Sequence, residues 1–179
     1  VSWDYRFTNL CNFKCRMCGH MLSSAWETEL RTQDAKIDYA LPEYAWMQPK
    51  IKQQIEQFTD QVIVKEFLDA VENKTIEEIY WVGGEPLMWD IHWTAMKRIV
   101  ELGYANKVYP RYNTNLSRVN FHGDNLFNIL KNYRDWQICA SIDATGDIGE
   151  YIRTGLKYDE WLENFKQGMT IQTNPRQMR

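Results

Sequence analysis

The chain has 179 residues, 44% of them hydrophobic and 14% aromatic, and a formal charge of −3. That length suits one domain with a sizeable core, and the composition excludes a disordered chain. The small negative charge gives no basis for nucleic-acid binding, and no apolar run approaches a membrane span or forms a signal-peptide pattern.

Strand and helix signals alternate along the chain, which predicts a parallel α/β fold. Alternating aromatics place a first strand at 3–8. A long insertion follows at 19–75, with Ile51, Ile55 and Phe58 at helical spacing and Pro42 and Pro49 punctuating its start. A second strand is expected at 78–82. A helix at 91–102 comes next, with Gly103 as its stop. The pattern then gives a strand at 107–112, a helix at 124–133, a strand at 136–142 and a helix at 159–167. Residues 169–173 read as the start of a fifth strand. A complete barrel has eight such strands, so the chain reads as part of one. It opens on Val1, already inside a strand-like run, and so reads as an excerpt of a longer protein.

Cys11, Cys15 and Cys18 form a C-x3-C-x2-C triplet on the loop after the first predicted strand. The C-terminal end of a barrel strand is where catalytic groups gather. A [4Fe–4S] cube is normally held by four thiolates. Three leave one iron open, and an open position is where a substrate or cofactor binds. The same residues with His20 also make a Cys3His set, so a zinc-stabilised binding module is the alternative. The cysteines lie too close together for a disulfide framework, and their clustering suits a reducing, cytoplasmic compartment. Cys139, alone in a strand, reads as a small core residue.

Gly83-Gly84-Glu85-Pro86 follows the second predicted strand. Paired glycines let a backbone approach a ligand closely, and they also suit a plain turn. Asn115 ends the third strand and can border a cleft or form an Asx-turn. Ser141 and Asp143 alternate at the end of the fourth and are expected on one side, or as caps. Trp89 is expected near the substrate opening, and most of the tryptophans in the barrel-wall core.

The triplet, the Gly-Gly-Glu-Pro segment and Ser141–Asp143, in this order and spacing, resemble the radical SAM enzymes. The likeness covers the chain to about Arg153, and within the family is closest to the branch with SPASM or twitch extensions. It implies a partial (β/α)6 TIM-like barrel, here cut after four to five strands. It implies a [4Fe–4S] cluster on Cys11, Cys15 and Cys18, and S-adenosylmethionine as cofactor. Reductive cleavage of that cofactor gives a 5′-deoxyadenosyl radical that takes hydrogen from a substrate, here expected to be a peptide, a protein side chain or another metabolite, in that order. The electron comes from a donor such as flavodoxin or ferredoxin. By the same resemblance Gly83, Gly84, Glu85 and Pro86 meet the methionine end, and Ser141 meets the ribose. Asp143 stands at the barrel mouth, and Arg153 meets the carboxylate. Met17 stands where the family usually has an aromatic residue beside the adenine, and Leu116 where it often has glycine.

Overall fold

The computed structural model describes residues 1–6, 8–33 and 37–179. Strand β1 (Ser2–Tyr5) leads through the cysteine loop, which contains the two-residue strand β2 (Lys14–Cys15). The insertion is helical: α1 (Ser24–Thr32), α2 (Pro42–Ala45), α3 (Pro49–Phe58), a π-helical turn at Thr59–Val64, and α4 (Lys65–Glu72). Proline at the first turn of α2 and α3 costs nothing there, because that N–H has no intrahelical partner.

Strand β3 (Glu78–Trp81) buries Ile79 and Trp81 and leaves Glu78 and Tyr80 half-buried, the period of two that a strand imposes. Helix α5 (Asp90–Glu101) covers the sheet with Trp93, Ala95, Met96 and Ile99, and Gly103 ends it at φ +75°. Strand β4 (Tyr109–Thr114) is displaced two residues from its predicted place, because residues 105–107 form a 3-10 turn. A hairpin of β5 (Asn120–Phe121) and β6 (Asp124–Asn125) takes the start of the helix expected at 124–133. Its turn, His122-Gly123, has φ of 46° and 89°, the left-handed pair that tight hairpins favour. Asn125 then caps the short α6 (Leu126–Leu130) by accepting the Asn128 N–H at 3.1 Å. Strand β7 (Gln137–Ala140), α7 (Gly146–Ile152), β8 (Arg153–Thr154) and α8 (Tyr158–Ile171) follow.

The described residues place β1, β3, β4 and β7 side by side, all parallel and in sequence order. This is the α/β architecture of a partial TIM-like barrel. The fifth strand is not at 169–173. Tyr158, Trp161, Leu162, Phe165 and Ile171 keep a helical stripe against the core, so α8 runs on through Ile171. The chain reaches the sheet later. Ile138 donates to Gln177 O at 2.7 Å, Ala140 to Arg179 O at 2.7 Å, and Arg179 to Ile138 O at 3.0 Å, a parallel pairing along the open side of β7. Among the described residues, no helix is long and apolar enough to cross a membrane.

Candidate active site

The cysteine loop is held by the start of α1. The Ser24 hydroxyl accepts the Cys11 N–H at 3.0 Å and donates to Cys11 O at 3.1 Å. Ser23, the N-cap, donates to Phe13 O at 2.5 Å, and Trp26 Nε1 donates to Cys15 O at 2.9 Å. The Cys18 N–H closes a turn on Cys15 O at 3.0 Å. Phe13, fully buried, pins the loop into the core. Backbone carbonyls that would otherwise face an apolar interior are thereby satisfied.

A second ladder ties the loop to the far side of the sheet. Strand β2 pairs antiparallel with β8, setting Cys15 opposite Arg153. The Arg16 N–H donates to Ile152 O at 2.9 Å, and its guanidinium lies 3.8 Å from the Tyr151 ring centroid.

Gly84 forms the third contact. Its φ is +54°, and a Cβ there would come 2.4 Å from Leu10 O. The next residue, Glu85, donates its N–H to that same oxygen at 2.7 Å. The Glu85 carboxylate accepts from Thr114 Oγ1 (2.6 Å), Asn115 N–H (2.6 Å) and Leu87 N–H (3.1 Å). Both of its oxygens thus hold the end of β4 in place. Burial pushes this carboxyl up to about 7, against the three hydrogen bonds that favour its charged form.

These contacts enclose a cavity of 560 Å³, within the range of small-molecule sites. Cys11, Cys15, Cys18, Met17, Gly83, Gly84, Glu85, Asn115, Ser141 and Arg153 all border it. Residues some 140 positions apart in the chain are thus brought to the C-terminal ends of parallel strands, where ligands bind in α/β folds. Pro86 and Asp143 do not border it. Pro86 is buried as the first residue of a 3-10 turn, and Asp143 makes an ion pair with Arg153 Nε at 2.6 Å. Strand β7 stops at Ala140, so Ser141 and Asp143 lie on the loop beyond it rather than on one strand face. Asn115 does both things its sequence allows: it borders the cavity, and its Oδ1 accepts the Ser117 N–H at 3.0 Å in an Asx-turn. Leu116 adopts φ +57°, the conformation glycine takes without cost. Trp89 is buried and away from the cavity. Cys139 is half-buried on β7 and also lies outside it.

The helical insertion supplies the outer wall through Met21, Leu22, Trp46, Lys52 and Ile55. A buried carboxylate anchors that wall. Glu27 accepts from Lys52 Nζ at 2.6 Å, Arg31 at 3.0 Å and Asn9 Nδ2 at 2.9 Å, joining α3, α1 and the cysteine loop. Burial raises its carboxyl, but these donors outweigh burial and hold it below the usual range. Sequence reading missed Glu27 and Ser24, although the S-x-x-E run Ser24-Ala25-Trp26-Glu27 lies within one residue of the true helix start, whose N-cap is Ser23. Glu27→Ala is expected to raise amide hydrogen exchange across α3. The stability loss should be only about 1–2 kcal/mol, because Lys52 and Arg31 remain partly hydrated. Unchanged exchange in α3 would show that the wall does not depend on this anchor.

The donor set tests which metal group fits. All four cysteines are free, and burial pushes the Cys11 thiol up to about 11 and raises that of Cys15. A metal bound beside such thiols takes them as thiolates. Among the described residues, no three His, Cys, Asp or Glu side chains converge as they must around one ion. His20 turns away from the cysteines: its Nε2 lies 2.9 Å from Glu43 O, and its ring stacks on Trp46. The zinc site therefore lacks its fourth ligand, whereas thiolates spread around one cavity suit a multi-iron cube.

A family model described as the Radical SAM superfamily matches residues 5–167, most of the chain. The chain belongs to the radical SAM superfamily. No curated protein and no solved structure matches it. Radical SAM enzymes use a [4Fe–4S] cluster and S-adenosylmethionine, and the three cysteines bordering one cavity fit that pair. This chain is an enzyme of that superfamily.

Proposed function

We propose that Cys11, Cys15 and Cys18 hold the cluster and that the cavity beside them takes S-adenosylmethionine. The observation that carries this reading is the single cavity shared by the triplet, the paired glycines and Arg153. When bound, cluster and cofactor together supply reductive cleavage to methionine and a 5′-deoxyadenosyl radical, which takes hydrogen from a substrate. The chain's own part is orientation. Gly83 and Gly84 border the cavity at the methionine end, their side-chain-free faces seated on Arg6 and Leu10, and with the Glu85 carboxylate held by Thr114 and Asn115, acceptors for the amine fall to backbone carbonyls. Arg153 gives the carboxylate a charged partner. Ser141 offers a hydroxyl to the ribose, and Met17, half-exposed at the rim, an apolar contact to the adenine. The substrate is a peptide or protein side chain, and the electron donor is a flavodoxin or ferredoxin. The mixed apolar and charged outer wall, with Leu22, Trp46, Ile55, Lys52 and Glu56, supports the substrate class. A SPASM or twitch extension and a cytoplasmic setting belong to the same reading, as does residues 1–179 forming the radical SAM core.

Anaerobic reconstitution with iron and sulfide tests this. The protein is expected to take up a [4Fe–4S] cluster whose EPR signal, after reduction, changes on adding S-adenosylmethionine. Cys11→Ala, Cys15→Ala and Cys18→Ala should each lose the cluster, whereas Cys139→Ala keeps it. Stoichiometric zinc without sulfide, or a spectrum indifferent to saturating cofactor, would refute the reading.

A further inference from the structure

The cysteine sulfurs are not equally surrounded. Cys11 Sγ receives the Phe13 N–H at 3.5 Å, with Asn115 Nδ2 at 4.0 Å. Cys15 Sγ has a cation instead: Arg153 Nη1 stands 3.8 Å away. That guanidinium is largely withdrawn from solvent, at 15% exposure, and its Nε edge is fixed by Asp143 at 2.6 Å. The backbone fixes it as well. Cys15 and Arg153 are register partners in the β2–β8 ladder, so their side chains share one face. Two residues on, Gly155 has φ +111°, and a Cβ there would come 2.8 Å from the Phe13 ring and 3.0 Å from Asn12 O. The segment carrying Arg153 therefore seats against the cysteine loop with little room to shift.

An iron–sulfur cluster's potential is set by net charge, by hydrogen bonds to its sulfurs and by solvent exposure. Taking up one electron adds negative charge to an assembly already carrying anionic thiolates. A permanent cation at a ligand sulfur favours the reduced form, and guanidinium keeps its charge at any working pH. Asp143 opposes this at the far edge of the same guanidinium while holding it in place. We propose that Arg153 and Asp143 are a tuning pair for the cluster, Arg153 raising its reduction potential through Cys15 and Asp143 moderating that rise. The proposal rests on the cluster assignment above, and it is separate from any contact Arg153 makes with the cofactor.

The test is a redox titration of the reconstituted full chain, followed by EPR without S-adenosylmethionine. Arg153→Gln should lower the midpoint, with about a tenfold loss in reduced-to-oxidised ratio at fixed potential, which for one electron is about 59 mV. Arg153→Lys keeps the charge but not the fork and should fall less. Asp143→Asn should move the midpoint up. An unchanged midpoint in Arg153→Gln at wild-type iron content overturns the proposal. If that variant takes up no iron, Asp143→Asn decides, and an unchanged or lower midpoint overturns it. If neither variant takes up iron, the pair is structural and the proposal fails. Wild-type protein that takes up no iron and sulfide refutes the cluster assignment instead.

Discussion

Gly84→Ala is expected to unseat the cysteine loop, losing both stability and iron uptake. The backbone at Gly84 has φ +54°, which costs an L-residue roughly 1–2 kcal/mol. The added methyl would also meet Leu10 O at 2.4 Å, and that oxygen cannot retreat freely because the Glu85 N–H is bonded to it at 2.7 Å. Overpacking of this kind adds about 1–3 kcal/mol. Cys11 is the next residue after Leu10, so any shift reaches a cluster ligand directly. Gly146→Ala is the control. Its φ is +55°, nearly the same, but a Cβ there meets nothing within 4 Å. Thermal melts of the two variants should therefore differ by the steric part alone, roughly 2–12 °C at 2–4 °C per kcal/mol for a chain of this size. Iron content should fall only in Gly84→Ala. Equal melting losses in the two would mean that Leu10 gives way easily and the close approach has no structural weight.

That clash shows where sequence reading stops. The strands were legible because Ile79 and Trp81, or the Trp3 run, alternate on a period of two, and the triplet and paired glycines mark themselves by residue type. The reason for the glycines was legible only in part. Close backbone approach is expected toward a ligand. In the structure Gly84 approaches the protein's own loop at Leu10, so the cofactor segment and the cluster loop form one mechanical unit. Glu85 likewise reads as an acceptor facing a ligand, yet its partners Thr114 and Asn115 lie some thirty residues away, a separation no local pattern encodes. Asp143 reads as a barrel-mouth group or a cap and Arg153 as a partner of the carboxylate; that Arg153 faces Cys15 follows from the β2–β8 ladder, which is too short to announce itself, and the same guanidinium meets Asp143 from the loop after β7. The misplaced fifth strand has a different cause. A short apolar run suits helix and strand alike, and the stripe from Tyr158 through Ile171 decides it by packing.

Glu85→Ala should cost at least ~3 kcal/mol, because it leaves the Thr114 hydroxyl and the Asn115 and Leu87 N–H groups buried without their acceptor. Glu85→Gln separates shape from titration. The amide keeps the volume but sets an NH2 group where the carboxylate had only acceptors, and that penalty does not vary with pH. The wild-type carboxyl does vary. Burial raises it from 4.5 to about 7 in the folded chain, so its folded pKa lies above its unfolded one. Below about 4.5 both states hold the proton and the contribution to stability is whole. As pH rises the unfolded chain ionises first, so the contribution falls through this window and is gone above about 7. At about 1.4 kcal/mol per unit, the loss is on the order of 3 kcal/mol. Denaturant unfolding of both proteins from about pH 4 to about pH 8 should show wild type losing its advantage over Glu85→Gln as pH rises, other titrations cancelling in the difference. Parallel profiles would mean that the three hydrogen bonds, and not burial, set this carboxyl, leaving it ionised throughout.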